Sequence, residues 1–289
     1  MASTGAAAKY GALNDAVESQ RRRVQGGPPD VDAWGGLNAP RFRADPRREM
    51  DSNFEAISAY VELEDVFVDA GGGAGRFSLP MALRCRQVIN VDPSHGMGVE
   101  FQASATEAGI TNATFIHSDW PESPRLESEA VQGDVSLAAH VTYFVGDIER
   151  FIRNLNSATR RRVIIILSSV PNPNHFANAF RLVYGEELEP VPGHTHLLPV
   201  LWNMGILPDV VVSPGGTRIG GSPLPPNLPQ TPQDAVEDTL GGVWLHPADR
   251  ERARQVIGER LSEFYHHGHD GFAPLWRPSV QQVLITWQK

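Results

Sequence analysis

The chain has one cysteine, Cys85, in 289 residues. An intrachain disulfide is therefore excluded, as is a zinc or iron–sulfur site built on several thiolates, and a reducing compartment is the expected setting. Lysine is almost as scarce: Lys9 and Lys289 are the two lysines and every other basic residue is arginine, which reads as the codon bias of a GC-rich genome. Long apolar runs are missing too. The longest, Val163–Leu167, falls far short of the roughly 18–20 residues a bilayer span needs, so no membrane partner is expected. The opening residues MASTGAAAKYGALNDAVES hold no apolar stretch before a small-residue cleavage site, so no signal peptide is expected and the cytoplasm is the expected location. Positive charge is in deficit, with a formal net charge of -9. That balance disfavours a nucleic-acid partner, whose phosphates call for a basic face.

What the chain does have is 41% hydrophobic residues, enough for a sizeable core despite 27 Gly and 23 Pro, and this excludes a disordered chain. Arginines cluster at Arg21–Arg23, at Arg41, Arg43, Arg47 and Arg48, and at Arg160–Arg162, where solvated faces and strand flanks are the expected roles.

The organisation reads in five parts. Residues 1–30 are expected to be a flexible or loosely docked segment with a short helix at Leu13–Val24. Residues 31–64 form a helical cap, with Phe54, Ile57, Tyr60 and Val61 at helix spacing behind a cap at Asp51 or Ser52. Residues 65–170 alternate strand and helix: strands at Val66–Ala70, Gln87–Val91, Ala113–His117, Asp134–His140 and Arg162–Leu167, helices at Arg76–Arg84, about Gly96–Ala108 and Asp147–Asn156. Residues 171–240 are expected to be a lid or insertion plus part of the sheet, with Phe176, Phe180 and Tyr184 on one helix face and a Pro/Gly-dense loop over 213–233. Residues 241–289 supply a charged helix at Pro247–Tyr265 and a closing strand at Gln281–Trp287. Continuous apolar strands with helical crossovers imply a doubly wound, Rossmann-like α/β sheet, which Asp209–Val212 and Gln281–Trp287 bring to seven strands.

The most informative segment is VFVDAGGGAGRFSLPMA. A strand ends at Asp69, and Gly71, Gly72, Gly73 and Gly75 turn the chain into a helix whose first amides can meet a ligand. Counting from Gly71, the third glycine of a dinucleotide fingerprint falls on Arg76, and no lysine is present for a phosphate loop, so both patterns fail. A nicotinamide-dependent oxidoreductase is thereby disfavoured. A purely structural turn remains the alternative. Some 20 residues on, Asp92 ends the second strand, where a carboxylate can accept from both hydroxyls of a ribose or simply cap the next helix.

The spacing Asp69, Gly71, Gly73, Gly75 resembles the first motif of the class I S-adenosylmethionine-dependent methyltransferases, in particular their small-molecule branch of type 11/12. Three later segments extend the resemblance over residues 66–169. After Asp92, Met97 stands where the family packs an apolar side chain on adenine, with plain core packing as the alternative. Asp119 and Trp120 stand where an acid meets the adenine amino group and a neighbour supports the ring. The fourth strand, around Ala138, stands where backbone carbonyls accept the methionyl ammonium. The resemblance implies S-adenosylmethionine as cofactor, S-adenosylhomocysteine as product and an enzyme acting on a small-molecule partner at O, N or C. No metal is expected.

Upstream, Arg43 is a candidate clamp for the methionyl carboxylate. His140, delivered by the fourth strand, is a candidate general base, with Tyr143 next; a histidine bonded to backbone for structural reasons is the alternative. The tetrapeptide Asn/Asp-Pro-Pro-Tyr, which marks many methylases of exocyclic amino groups, is absent from the fourth strand's end. Two rival functions stay open at this point: a non-catalytic binder of the cofactor, and an RNA methyltransferase using the N-terminal arginines.

Overall fold

The apolar runs lie side by side as a seven-stranded sheet in the computed structural model, which describes residues 5–26, 32, 34–35, 39–120, 125–126, 129–213 and 228–289. The strands are β1 (Val66–Ala70), β2 (Gln87–Asp92), β3 (Ala113–His117), β4 (Gly133–Ala139), β5 (Thr159–Ser168), β6 (Asp209–Ser213) and β7 (Gln282–Gln288), in the order β3-β2-β1-β4-β5-β7-β6. β1 to β5 run parallel. β7 is antiparallel to both neighbours, with Gln282 opposite Ser168 on one side and Ser213 on the other. Strand order reverses between β1 and β4, opening a crevice at the carboxyl ends of the strands, where such sheets take ligands. Every expected strand is present within a few residues of its expected bounds.

β5 explains why both faces are covered. Val163, Ile165 and Leu167 enter one core layer while Ile164 and Ile166 enter the other, all at most 1% exposed. The first layer packs α1 (Gly5–Gln25), α5 (Ile148–Ser157) and α7 (His194–Asn203); the second packs α2 (Ser52–Ser58), α3 (Ser78–Ala82) and α4 (His95–Glu107). Side chains start three of these helices where local chemistry predicts. Asp51 accepts from the Phe54 amide at 2.9 Å, Ser94 Oγ from the Met97 amide at 3.1 Å and Asp147 from the Arg150 amide at 3.1 Å.

The expectation of a loose N-terminus is corrected for residues 5–25. They form α1, whose Tyr10, Val17 and Val24 are buried. The Tyr10 hydroxyl donates to the Thr142 carbonyl at 2.8 Å and Asn14 Nδ2 to Val145 O at 3.2 Å, so α1 supports the loop after β4. The Gln20 amide brackets the chain after β5, donating to Glu187 O at 2.8 Å and accepting from the Glu189 amide at 2.7 Å. Small residues around this stripe dilute its apolar signal, and the burial is visible only once α7 and α5 lie against it.

A third core follows β5. α6 (Ala177–Tyr184), α8 (Pro232–Leu240), α9 (Arg250–Glu259) and a hairpin of Tyr265–Gly268 with Gly271–Pro274 bury Phe176, Phe180, Val236, Ile257, Tyr265 and Phe272. The Phe176/Phe180/Tyr184 face therefore packs into this satellite core, with Phe176 4.9 Å from Trp276 and Phe180 5.0 Å from Tyr184 between ring centroids. α8 is absent from the sequence reading. A reciprocal cap starts it, Thr231 Oγ1 accepting from the Asp234 amide and Asp234 Oδ2 from the Thr231 amide, each at 3.1 Å. Of the expected loop over 213–233, residues 214–227 lie outside the described residues.

Candidate active site

The glycine turn is held from behind by a buried polar knot. Asp69 in β1 and Asn90 in β2 are register partners, and both hold Ser78 at the start of α3. Ser78 Oγ donates to Asp69 Oδ2 at 2.5 Å, and Asn90 Nδ2 reaches Ser78 Oγ at 3.0 Å and Gly73 O at 3.2 Å. Burial pushes the Asp69 carboxyl up to about 7, with the nearby Asp92 charge acting the same way against Ser78 and Arg76. Asp69 Oδ1 and Asn90 Oδ1 are buried with no hydrogen-bond partner. Asp69 thus stands behind the turn.

In front of the turn the backbone is shaped by glycine. Gly73 has φ 53°, in the left-handed region, and a Cβ there would lie 3.5 Å from Met97 Sδ, filling the space in front of the turn. Gly72 is fixed by room: a Cβ would come within 2.7 Å of Asp69 Oδ2. The Gly73 amide donates to Asp92 Oδ2 at 2.9 Å and the Ser94 amide to Asp92 Oδ1 at 2.9 Å, leaving the carboxylate further acceptor positions. Desolvation raises the Asp92 carboxyl, and Asp32 adds to it. Asp32 itself accepts from the Gly96 amide at 3.1 Å, anchoring the segment before β1 across the start of α4. Met97 packs with Ala39, Ala74 and Phe42 into a small apolar cluster beside the turn.

The other expected residues fall at the same edge. Asp119 is exposed just past β3, and Trp120 is buried with its indole N–H unpartnered. Ala138 is fully buried in β4, opposite Ile165. Two residues later His140 takes φ 61°, the one positive φ outside glycine among the described residues. Its amide donates to Ile166 O at 2.8 Å, and its Nδ1 lies 3.4 Å from the Tyr143 hydroxyl. Burial pushes the imidazole down to about 3, with the Arg76 charge adding to the effect. The Tyr143 hydroxyl oxygen accepts from the Ser168 amide at 2.5 Å, and burial raises its pKa to about 12. Burial thus favours the neutral form of both side chains.

Arg43 is corrected. It pairs with Glu107 at 2.5 Å and with Glu100 at 3.6 Å, both on α4, so its charge is spent on the outer face of that helix. Arg76 directly follows the last glycine of the turn. Its guanidinium is half-buried and near enough to Asp69 and His140 to shift their titration; burial lowers its own pKa, as does Arg48, against Asp51 and Asp69. Sequence reasoning used Arg76 only to reject a fingerprint. Its place as the first residue after the glycines is the signal for a charge at the end of the turn. Also missed was Phe144, whose ring lies 6.0 Å from Trp34; Trp34 in turn meets Phe42 edge-on at 5.8 Å.

Residues 67–162 match the family model described as a methyltransferase domain. An uncharacterized protein of Haemophilus influenzae is 27% identical over 229 residues, covering 78% of this chain and 77% of that protein. A ubiquinone biosynthesis O-methyltransferase of Azorhizobium caulinodans is 27% identical over 196 residues, covering 66% of this chain and 70% of its own length. Among solved structures, a putative methyltransferase from Bacillus halodurans superposes with a TM-score of 0.52 at 10% identity, over 82% of this chain and 99% of the other. The YcgJ protein of Bacillus subtilis superposes with a TM-score of 0.51 at 17% identity, over 82% and 97%. At these identities the structural likeness is one of fold.

Proposed function

We propose that this enzyme, whose residues 67–162 match a methyltransferase domain, transfers a methyl group from S-adenosylmethionine to a small-molecule acceptor. One observation carries the cofactor's site: the bond from the Gly73 amide to Asp92, which joins the glycine turn to a buried carboxylate with acceptor positions to spare. The residues fit the group. Space in front of Gly73 would be lost to a single Cβ facing Met97, and the buried Trp120 indole N–H has no partner.

In this reading Asp92 accepts from the ribose hydroxyls, Met97 and Ala74 face the adenine, Asp119 and Trp120 hold its edge, and Gly71, Gly73 and Gly75 keep the backbone close. Asp69 keeps the turn in shape from behind, and carbonyls at the end of β4, by Ala138, take the ammonium. Arg76 replaces Arg43 as the cation for the methionyl carboxylate. When bound, the cofactor supplies a methyl carbon on a positively charged sulfur, transferred in line as the carbon–sulfur pair stays on sulfur. The chain's own part is position and exclusion of water, since the leaving group is already a good one.

A small acceptor is supported by the formal net charge of -9 and by the sequence His140-Val141-Thr142-Tyr143 where amino-group methylases of bases carry a Pro-Pro-Tyr motif. The Azorhizobium relative, an O-methyltransferase of ubiquinone biosynthesis, points the same way. No helix among the described residues is long and apolar enough to cross a membrane. Calorimetric titration with S-adenosylmethionine and, separately, with NADH tests the reading. Micromolar binding of the first alone is expected; binding of NADH, or of neither, overturns it.

A further inference from the structure

The rings at the carboxyl edge of the sheet form a continuous row. Centroid distances run 6.2 Å from His140 to Tyr143, 6.1 Å from Tyr143 to Phe144, 6.0 Å from Phe144 to Trp34 and 5.8 Å from Trp34 to Phe42. The row starts at an imidazole within the fold and opens to solvent at Trp34 and Phe144, 47% and 53% exposed. Two large rings left half open beside a cofactor crevice offer a face that a flat, unsaturated molecule can cover.

The inner end of the row is set up as a donor. The Tyr143 oxygen accepts the Ser168 amide and lies 3.4 Å from His140 Nδ1, a contact whose direction the imidazole tautomer sets. With Nδ1 accepting, the neutral ring carries its proton on Nε2. The ring's backbone is pinned as well, by its amide bond to Ile166 O and by a φ that few side chains adopt. The groups around the ring are Tyr143 from its own loop and the Ile166 carbonyl and Ser168 amide of β5, with the Arg76 charge reaching it from the turn before α3; Tyr10 of α1 stands behind Thr142. An N–H donor that feels the Arg76 charge is matched to an anion. Burial, which keeps the imidazole neutral, acts in the same direction.

We propose that the acceptor is a planar, conjugated molecule with an acidic hydroxyl, bound as its oxyanion with the oxygen on His140 Nε2–H and its flat face against Trp34 and Phe144. The assignment rests on the methyltransferase reading above and names that site's substrate class. Tyr143 is the positioning residue that fixes the imidazole tautomer. The hydroxyl loses its proton to solvent before binding. Its oxygen then gives a lone pair to the methyl carbon as the carbon–sulfur pair returns to sulfur, so the oxyanion and the sulfonium are both neutralised and no proton passes to the protein.

The test uses 4-nitrophenol as probe and the full chain saturated with S-adenosylhomocysteine. The probe's colour reports its ionisation, and the part of the tryptophan quenching that Trp34→Ala removes reports its arrival beside that ring. Bound 4-nitrophenol is expected to titrate about one pH unit below the free compound, a roughly tenfold preference for the phenolate, and cyclohexanol is expected not to displace it. His140→Phe and Tyr143→Phe should each lose the shift while keeping S-adenosylhomocysteine affinity, and His140→Asn, which tolerates the same φ and restores an N–H, should recover part of it. Trp34→Ala should weaken probe binding severalfold without moving its titration. Failure of the loaded protein to bind the probe, an unshifted titration in the wild-type chain, or a shift that survives His140→Phe would each overturn the assignment and leave the methyltransferase reading standing. Failure of S-adenosylhomocysteine itself to bind overturns that reading and this inference with it.

Discussion

Gly73 and Asp92 are joined by a 2.9 Å hydrogen bond from amide to carboxylate, so the turn after β1 and the end of β2 behave as one unit. Asp92→Ala removes the acceptor and Gly73→Val forces a branched side chain into φ 53° against Met97. Each should weaken S-adenosylmethionine binding at least tenfold, or ~1.4 kcal/mol, in calorimetry. Unchanged affinity in a folded variant removes the residue from the site.

Asp69 and the pH dependence of stability are linked by burial. Its carboxyl rises to about 7 in the fold against roughly 3.9 in the unfolded chain. The fold therefore favours the protonated form, a contribution present below about pH 4 and lost as pH rises through about 7. Asp69→Asn keeps an oxygen acceptor for Ser78 and has no charge to bury. Its Tm should gain on the wild type between pH 5 and pH 8; a constant gap across that range would show that Asp69 is already ionised at pH 5.

His140 has the opposite sign. Its imidazole falls to about 3 against an ordinary value near 6.5, so the fold favours the neutral ring. Stability from this source is complete above pH 6.5 and declines as pH falls toward 3. His140→Asn should flatten the acid limb of a Tm-against-pH curve between pH 6 and pH 4. An identical acid limb in the variant refutes the burial argument.

Arg43 and Arg76 should separate cleanly. Arg43→Ala breaks a largely exposed pairing with Glu107, so about 0.2–1 kcal/mol of stability and no cofactor affinity should be lost. Arg76→Met removes the cation beside Asp69 and His140 and should lower S-adenosylmethionine affinity about tenfold or more. If Arg43→Ala is the variant that loses affinity, the roles revert to the sequence expectation.

Tyr10→Phe tests the link from α1 to the loop after β4. It leaves the Thr142 carbonyl without the hydroxyl that meets it at 2.8 Å in a buried setting. A loss of about 1 kcal/mol in urea unfolding is expected. No loss would mean that α1 is held by packing alone.

The sheet was readable because its signals are local. Val163–Leu167 announces a strand buried on both faces, and Asp69 to Gly75 announces a strand end with a glycine turn, without knowledge of anything distant. Asp92, Met97, Asp119 and Trp120, expected from the family resemblance, do lie near strand ends along one edge of the sheet. What escaped depends on partners far along the chain. Arg43 and Arg76 look alike in sequence; Glu107, 64 residues away, occupies the first, and the fold half-buries the second. α1 is a stripe of Tyr10, Val17 and Val24 among small and polar residues, meaningful only against α5 and α7. The lowered His140 follows from burial that no spacing encodes, and α8 hid behind the prolines that precede its Thr231 cap.

Gln282–Gln288 lies between two strands that are made before it. During synthesis, the edge of Thr159–Ser168 that will receive it stands open while residues 169–281 emerge, on the order of ten seconds at ribosomal speed. That edge carries Val163–Leu167, a charge-free, β-branched run of the kind that pairs with other chains. The nascent protein is therefore most prone to self-association just before its last strand arrives. Slow translation downstream of β5 would lower the yield of folded enzyme without altering a single contact in the finished molecule.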